Sequence, residues 1–262
     1  MSEWDAEAYA HVSSLQQWVA EKSLGRVRLD GGERVLDLGC GDGKITAAIA
    51  ARLPHGTVLG VDASRSMIDF ATKAHAPAAH PNLSFQVADA ARLAFVEAFD
   101  LIVSFNCLHW VHDQAAVLRG IRAALAPTGR THLRFVSRGE RRALEDMIEE
   151  TRRTPAWAAY FTDYRAPYVH WTPEEYRTLA ERSGLRVDAL EVQQEAWDFR
   201  SRAAFVAFAR ATFVEWTRLL PAERQLEFID DVLDRYRRIG DGSPSQADVF
   251  TFYQMEAELR RA

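Results

Sequence analysis

Runs of apolar residues, and segments with apolar residues three or four positions apart, follow each other regularly over the first half of the chain. A short apolar run is typical of a buried strand, whereas the wider spacing is typical of a helix with one buried face. Because strands that alternate with helices require crossovers and a parallel sheet, the pattern predicts a doubly wound α/β fold. Strands are predicted at 35–38, 57–61, 83–87, 99–105 and 131–136, and helices at 44–53, from Ser64 onward and at 114–125.

The regular alternation ends after Ser137, where charged helical turns rich in aromatic residues begin. Thr172 and Pro173 have the residue types of an N-cap and a first helical position, so they predict a helix, which ends at Gly184. Most aromatic side chains beyond Ser137 are expected to pack between helices, and a few to face a cavity. A strand at 185–199, a helical block at 201–239 and a final strand at 249–259 are predicted to follow.

The chain is predicted to form a single domain, 1–262, in which helical insertions interrupt the end of the sheet. Apolar residues within 4–23 recur mostly three or four positions apart, which predicts an amphipathic helix in an N-terminal lid, 1–30. The core is predicted at 31–137, and the helical insertions at 138–172 and 200–245.

Composition and charge narrow the possible partners. The 262 residues are 48% hydrophobic, which is typical of a globular protein. The sequence contains no run of 18 apolar residues, and its N-terminus has no basic region followed by an apolar one, so neither membrane insertion nor export is expected. Cys40 and Cys107 do not predict a disulfide framework, so the cytoplasm is the expected location. A net charge of −5 argues against nucleic acid and leaves small molecules or proteins as partners. A monomer or a weak homodimer is expected.

The stretch 34–45, RVLDLGCGDGKI, joins a predicted strand to a predicted helix through a turn that contains Gly39, Gly41 and Gly43. Glycine is needed where the backbone takes a positive φ or where a ligand lies against the main chain. The dinucleotide-binding pattern GxGxxG would require glycine at position 44, but that residue is Lys44 and the spacing here is GxGxG. The turn therefore predicts a nucleotide-sized site of a different type.

Two carboxylates, Asp37 and Asp42, flank these glycines. Negative charge beside a helix N-terminus disfavours a pyrophosphate, so the turn is better suited to a ligand that carries positive charge. An ordinary glycine-rich turn between a strand and a helix is the alternative that involves no ligand.

The sequence VLDLGCGDG resembles the first motif of the class I S-adenosylmethionine-dependent methyltransferases, whose cofactor carries a sulfonium and an ammonium group. The resemblance implies a Rossmann-like, mostly parallel seven-stranded sheet that closes with a strand hairpin. It also implies that helical insertions before and within this hairpin form a roof over the substrate. S-adenosyl-L-methionine is therefore the expected cofactor.

The resemblance also assigns cofactor roles to individual residues. Asp62, at the end of the second strand, would accept hydrogen bonds from both ribose hydroxyls; alternatively, it is a solvated turn residue. Asp89 would accept a hydrogen bond from the adenine amino group; alternatively, it is an ordinary helix N-cap. Met67 would lie on the adenine or in the core, and the backbone of Ser104 and Phe105 would receive the ammonium group. The full expected set, to which no metal is added, is Asp37, Gly39, Cys40, Gly41, Gly43, Asp62, Ala63, Met67, Asp89, Ala90, Ser104 and Phe105.

The segment FNCLHWVHDQ follows the fourth strand, at the carboxyl end of the sheet where such folds bind ligands, and it contains Asn106, His109 and Trp110. It lacks the NPPY and DPPY sequences of nucleic-acid amino methyltransferases. LHWVHDQ, together with SSLQ near the N-terminus, resembles insect juvenile hormone acid methyltransferases, and the core resembles trans-aconitate methyltransferases. Both families esterify small carboxylic acids, which implies that Gln16 and Trp110 contact a substrate carboxylate with His109 beside it. The alternatives are a solvated Gln16, a Trp110 that anchors the core, and a His109 that is structural or a general base.

Methyl transfer is an in-line displacement, so the protein must mainly align the acceptor and exclude water. A carboxylate acceptor is ionised at neutral pH and needs no base, whereas an alcohol or phenol usually does. The resemblance to the two families of acid methyltransferases implies O-methylation of a small carboxylic acid. The alternatives are a hydroxyl, amine or carbon acceptor in a secondary metabolite, a carrier-protein malonyl ester, or cofactor binding without catalysis. A carrier protein would require a basic docking surface, but the arginines after Ser137 are interspersed with acids.

Overall fold

The computed structural model describes residues 14–76, 78–239 and 248–262. Its strands are β1 (Arg34–Leu38), β2 (Thr57–Asp62), β3 (Leu83–Val87), β4 (Phe99–Phe105), β5 (Leu125–Val136), β6 (Leu185–Asp198) and β7 (Val249–Arg261). Its helices are α1 (Ser14–Leu24), α2 (Lys44–Ala50), α3 (Arg65–Ala74), α4 (Gln114–Ala124), α5 (Leu144–Thr151), α6 (Pro173–Arg182), α7 (Arg202–Thr212), α8 (Val214–Thr217) and α9 (Gln225–Arg238). Single 3-10 turns occur at Ala90–Arg92, Leu108–Trp110, Ala158–Tyr160 and Ala222–Arg224.

All seven strands belong to one sheet of order β3-β2-β1-β4-β5-β7-β6. Strands β1 to β5 pair in parallel and β7 pairs antiparallel with β5, so the predicted doubly wound, mostly parallel seven-stranded fold is confirmed. The direction of strand addition reverses between β1 and β4. In open α/β sheets a crevice forms at this reversal, outside the carboxyl ends of the strands.

The central strands β1 and β4 are buried almost throughout. Leu36 and Ile102 pack on one face of the sheet with residues of α4 and α6, and Val35 and Leu101 pack on the other face with residues of α2. Helices cover both faces because βαβ crossovers alternate between them, and this is why these strands are nearly continuous apolar runs.

Helix α1 is tied to the sheet by polar contacts. Arg134 of β5, only 1% exposed, donates from Nη1 to Oγ of Ser23 over 3.0 Å, and Arg26 just beyond the helix forms an ion pair with Glu256 of β7. Only the part of the predicted N-terminal helix from residue 14 onward lies within the described residues. None of the described helices is both long enough and apolar enough to cross a bilayer.

Two helix ends differ from the prediction. Helix α2 ends at Ala50 instead of Leu53, and the side-chain amide of Asn82 donates to the carbonyl groups of both residues at 3.0 and 2.9 Å. Asn82 directly precedes β3, so the local sequence of the helix gives no sign of this contact. The contact satisfies carbonyl groups that the end of a helix leaves without partners.

Strand β5 begins at Leu125, earlier than the predicted Thr131, so helix α4 ends one residue earlier than expected. Leu125 pairs with Phe99, and the pairing resumes only at Arg130 after a shift in register. The intervening residues include Pro127, which has no N–H for the ladder, and such residues are accommodated in strands at irregularities of this kind.

The Cα positions group the chain into two compact units. One comprises the described parts of Met1–Ser137, Tyr168–Gln193 and Gln254–Ala262, and the other comprises those of Arg138–Pro167 and Gln194–Tyr253. The boundaries of the single domain, the lid and the roof remain predictions.

The second unit is built on buried aromatic side chains. Trp157, which is fully buried, packs edge-on against Phe228 at 5.1 Å between ring centroids and donates from Nε1 to Asp231 at 2.8 Å. Trp216 donates to Glu149, which also accepts from Arg152 and Arg153. Aromatic residues beyond Ser137 therefore pack against one another, as predicted. Carboxylates accept hydrogen bonds from the indole N–H groups of Trp157 and Trp216.

Candidate active site

The glycine-rich turn is held against β2 by two hydrogen bonds. The N–H groups of Gly39 and Cys40 both donate to the carbonyl oxygen of Val61, at 2.7 and 3.0 Å. The three glycines have φ values of 76°, 53° and 80°, a region that disfavours side chains. The turn is therefore a fixed structure that continues the pairing of β1 with β2.

The three glycines serve different purposes. A Cβ on Gly39 would collide with the side chain of Cys107, and one on Gly43 would lie 2.7 Å from the ring of Phe85. A Cβ on Gly41 would meet no heavy atom within 4 Å. Gly39 and Gly43 are therefore needed for packing, whereas Gly41 leaves its main chain open to a ligand.

Asp62 ends β2 and joins the turn to the start of α3. Its Oδ2 accepts from the N–H of Gly41 at 3.1 Å, and its Oδ1 accepts from the N–H of Ser64 at 2.9 Å. Ser64 in turn is the N-cap of α3. The two hydrogen bonds fix the carboxylate beside the turn, and carboxylate oxygens can each accept more than one hydrogen bond.

Asp37 lies behind the turn with only 1% of its surface exposed, and its Oδ2 accepts from Oγ1 of Thr46 at 2.7 Å. Burial raises the pKa of this carboxyl to about 7, against the opposing effect of the Thr46 hydrogen bond, and the charge of Asp62 raises it further. A buried anion without a cationic partner is costly, so a positively charged ligand at the turn would stabilise the ionised form.

Asp89 follows β3 and caps the 3-10 turn Ala90–Arg92 by accepting from the N–H of Ala91 at 2.9 Å. The N-cap interpretation is therefore correct, and Oδ2 forms an ion pair with Nε of Arg92 at 3.9 Å. Met67 in α3 is buried, as are Cys40 and Ala90, whereas Ala63 is half-buried. Burial of Met67 agrees with a core role and equally with an apolar surface beneath an adenine.

Ser104 and Phe105 end β4. The fully buried hydroxyl of Ser104 donates to the carbonyl oxygen of Leu38 at 2.7 Å, and the ring of Phe105 packs against His132 at 5.9 Å. Both side chains therefore have structural roles, and only the backbone of these residues can act as sequence analysis predicts.

His109 lies in the 3-10 turn Leu108–Trp110 and is 4% exposed. Its Nδ1 accepts from the N–H of Val136 at 3.4 Å, and its carbonyl oxygen accepts from the N–H of Val169 at 2.8 Å. Burial holds the pKa of His109 well below its ordinary value, and His170 lowers it further. His109 is therefore neutral near pH 7, with its proton on Nε2.

Trp110 is half-buried, and its ring centroid lies 5.0 Å from that of His109. The turn that carries both residues is held by Gln114, whose Nε2 donates to the carbonyl oxygens of Leu108 and Val111. The side chain of Gln16 lies outside the described part of the structure, so its predicted role remains a prediction.

Three comparisons with known proteins agree on the family. A family model described as "Methyltransferase domain" matches residues 35–129. The trans-aconitate 2-methyltransferase of Methylobacterium radiotolerans is 30% identical over 95% of this chain and 93% of its own length. That of Escherichia coli K12 is 36% identical over 129 residues, 49% of each chain.

The chain is a class I S-adenosylmethionine-dependent methyltransferase.

Solved structures confirm the fold of this methyltransferase. The YcgJ protein of Bacillus subtilis superposes with a TM-score of 0.66, at 19% identity over 94% of this chain and 99% of the other. Phosphoethanolamine N-methyltransferase 2 of Haemonchus contortus, solved with S-adenosyl-L-methionine, gives a TM-score of 0.62 at 18% identity over 98% of this chain and 57% of the other.

The residues present fit S-adenosylmethionine. Gly41 leaves room for a ligand beside its main chain, Asp62 would accept from the ribose, and Asp37 would supply negative charge for the cationic groups. Within the described ranges, no group of three His, Cys, Asp or Glu side chains is arranged to hold a metal ion. Cofactor binding by the individual residues named above remains a prediction.

Several side chains that shape this site have no signal in the local sequence. Thr46 and Gln114 act from the first turns of helices, and Gln254 of β7 donates to the side chain of Asn106 at 2.8 Å across 148 positions. Such contacts depend on how distant strands and helices meet, which local patterns do not record.

Asp62→Ala should weaken binding of S-adenosylhomocysteine by about 1.5–3 kcal/mol, the scale for losing hydrogen bonds to a charged group. Calorimetry would measure the affinity. Asp69→Ala is the matched control, because Asp69 is an exposed carboxylate on α3. Equal affinities for both variants would mean that another residue holds the ribose.

The raised pKa of Asp37 predicts a specific dependence of stability on pH. The folded protein retains a proton that the unfolded chain releases between about pH 4 and pH 7, so the stability associated with this group falls as the pH rises through that range. Asp37→Asn keeps an oxygen for Thr46 and removes the charge. Without cofactor, the melting temperature of the variant minus that of the wild type should become larger from pH 5 to pH 8, because only the wild type loses stability through this group.

With S-adenosylhomocysteine present, the ionised Asp37 becomes an advantage, because the ligand carries an ammonium group. Wild-type affinity should therefore rise from pH 6 to pH 8, and that of the Asp37→Asn variant should not. A constant difference in melting temperature between the two proteins at all pH values would show that Asp37 does not titrate in this range.

Proposed function

We propose that this methyltransferase transfers the methyl group to the carboxylate of a small organic acid and forms a methyl ester. The observation that carries the proposal is the hydrogen bond from the N–H of Val136 to Nδ1 of His109. It determines which nitrogen of the ring bears the proton, and therefore which acceptors the turn after β4 can serve.

A backbone N–H can only donate, so Nδ1 of His109 must be the unprotonated nitrogen and Nε2 must carry the hydrogen. Among the described residues none accepts a hydrogen bond from Nε2. His109 therefore offers an N–H donor, which suits an acceptor that is already an anion.

A general base would need the opposite arrangement. To deprotonate an alcohol or a phenol, Nε2 would have to be the unprotonated nitrogen, with Nδ1–H donating to an oxygen, and the pKa would have to lie near the working pH. In His109 the pKa lies well below its ordinary value. A carboxylate is ionised at neutral pH and has no need of a base.

When bound, S-adenosylmethionine supplies an activated methyl group on a good leaving group. The task of the protein is to align the acceptor and to exclude water. The half-buried ring of Trp110, packed against His109, provides an apolar wall next to the N–H donor. Gln114 fixes the turn that carries both residues.

The relatives support the same acceptor class. Two of them, each at least 30% identical to this chain, are trans-aconitate 2-methyltransferases, and aconitate is a carboxylic acid. Gln16, in the N-terminal helix, is proposed as a further contact of the acceptor carboxylate.

His109→Gln should lower kcat by less than about tenfold, because an amide replaces the N–H donor and no proton transfer is lost; loss of a general base typically costs about 10²- to 10⁴-fold. Trp110→Ala should cost more, because it removes the apolar wall on which alignment depends. Both effects would be measured as kcat and kcat/KM with methyl-labelled cofactor and a panel of mono-, di- and tricarboxylic acids.

The labelled product should release its label in mild alkali, as esters do. A product that survives alkali, together with a collapse of kcat in the His109 variant but not in the Trp110 variant, would overturn the carboxylate proposal. A base-assisted hydroxyl or carbon acceptor would then take its place.

A further inference from the structure

Two side-chain amides meet where β4 ends. Asn106 is the first residue after the strand and has a φ of 53°, in the left-handed region that asparagine tolerates better than most residues. Its N–H donates to the carbonyl oxygen of Arg134 at 2.8 Å. The backbone of Asn106 is thus held to β5 while its side chain turns away from the regular strand direction.

Gln254 reaches this residue from β7, where it lies opposite Val136 in the antiparallel register. It is 1% exposed, its Nε2 donates to Oδ1 of Asn106 at 2.8 Å, and its Oε1 is buried without a donor among the described residues. Burying such an oxygen without a hydrogen bond is unfavourable. An apolar side chain would fill the position at lower cost, so packing does not explain the amide.

The hydrogen bond has a chemical consequence for Asn106. Because its oxygen is engaged by Gln254, the free end of the side chain is the Nδ2 group, which can only donate. A side-chain amide is otherwise ambivalent, since rotation by half a turn would present the oxygen instead. Gln254 therefore selects a donor over an acceptor at the carboxyl end of β4.

Val136 connects this donor to the one on His109. Its N–H donates to Nδ1 of His109, and Gln254 lies opposite it in the sheet. The two N–H donors are thus oriented from neighbouring strands: Gln254 on β7 orients Nδ2 of Asn106, and Val136 at the end of β5 orients Nε2 of His109. A carboxylate accepts several N–H donors at once, and hydrogen bonds to it are stronger than those to neutral oxygens.

We propose that Asn106 donates a hydrogen bond to the carboxylate of the methyl acceptor, and that Gln254 is a positioning residue that keeps the Asn106 amide in the donating orientation. This inference rests on the proposed carboxylate function. It adds a residue that determines specificity and a second residue, on the last strand, that acts through the first.

Three variants test the proposal. Asn106→Asp replaces the donor with a negative charge and should raise KM for the acid at least about tenfold, as expected for a lost hydrogen bond to a charged group. Gln254→Glu can only accept while ionised, so it should turn the Asn106 amide over and raise KM similarly. Gln254→Met has a similar volume but no polar atom and should raise KM by a smaller factor.

The measurements are kcat and KM for the acid, affinity for S-adenosylhomocysteine by calorimetry, and melting temperature, all on the full chain. The expected result is a raised KM with little change in kcat and with cofactor affinity within about threefold of wild type. The matched control is Gln225→Glu in the second unit, where Nε2 of Gln225 donates to two backbone carbonyl oxygens. It should lower the melting temperature and leave KM unchanged.

The outcomes separate this inference from the proposed function. If the product is an alkali-labile ester but KM is unchanged in the Asn106→Asp and Gln254→Glu variants, the inference fails and the carboxylate function stands. If cofactor affinity falls together with the rise in KM, Asn106 serves the cofactor and the inference is overturned. If Gln254→Glu shows no cooperative melting, a KM equal to wild type in the Gln254→Met variant would contradict the positioning role.

Discussion

The hydrogen bonds that hold the glycine-rich turn to β2 are the constraint on which the site depends. Two successive N–H groups, of Gly39 and Cys40, share the carbonyl oxygen of Val61, and Asp62 one residue later accepts from Gly41. The turn and the acidic residue are therefore one rigid structure at the point where strand order reverses. A site preorganised in this way loses little conformational freedom when the cofactor binds.

The same arrangement places the carboxyl group of Asp37 where water cannot reach it. Its pKa of about 7 reflects the cost of burying an anion, which the hydrogen bond from Thr46 offsets in part. A cationic cofactor bound beside Asp37 would offset this cost. We therefore predict that cofactor binding and the protonation of Asp37 are linked.

The turn after β4 carries the residues proposed to contact the methyl acceptor. His109 is neutral, buried and protonated on Nε2, and the neighbouring amide of Asn106 is held as a donor. Both are donors because their other polar atom is already engaged by the sheet. Two N–H donors would suit an acceptor that arrives as an anion, and this connects the proposed ester formation with the inferred role of Gln254.

Local patterns determined much of this protein. Alternating strand and helix periodicities predicted the parallel sheet, and the sequence VLDLGCGDG implied the cofactor through its resemblance to the first motif of the class I methyltransferases. Both features depend on residues close together in the chain. Tertiary structure decided the rest. Only the pairing of distant strands brings Gln254 to Asn106 and Val136 to His109. Burial, together with neighbouring side chains in the folded protein, sets the direction of the pKa shifts of Asp37 and His109. Hydrogen-bond direction and desolvation are properties of the folded environment, and for that reason no sequence pattern showed which groups would be donors.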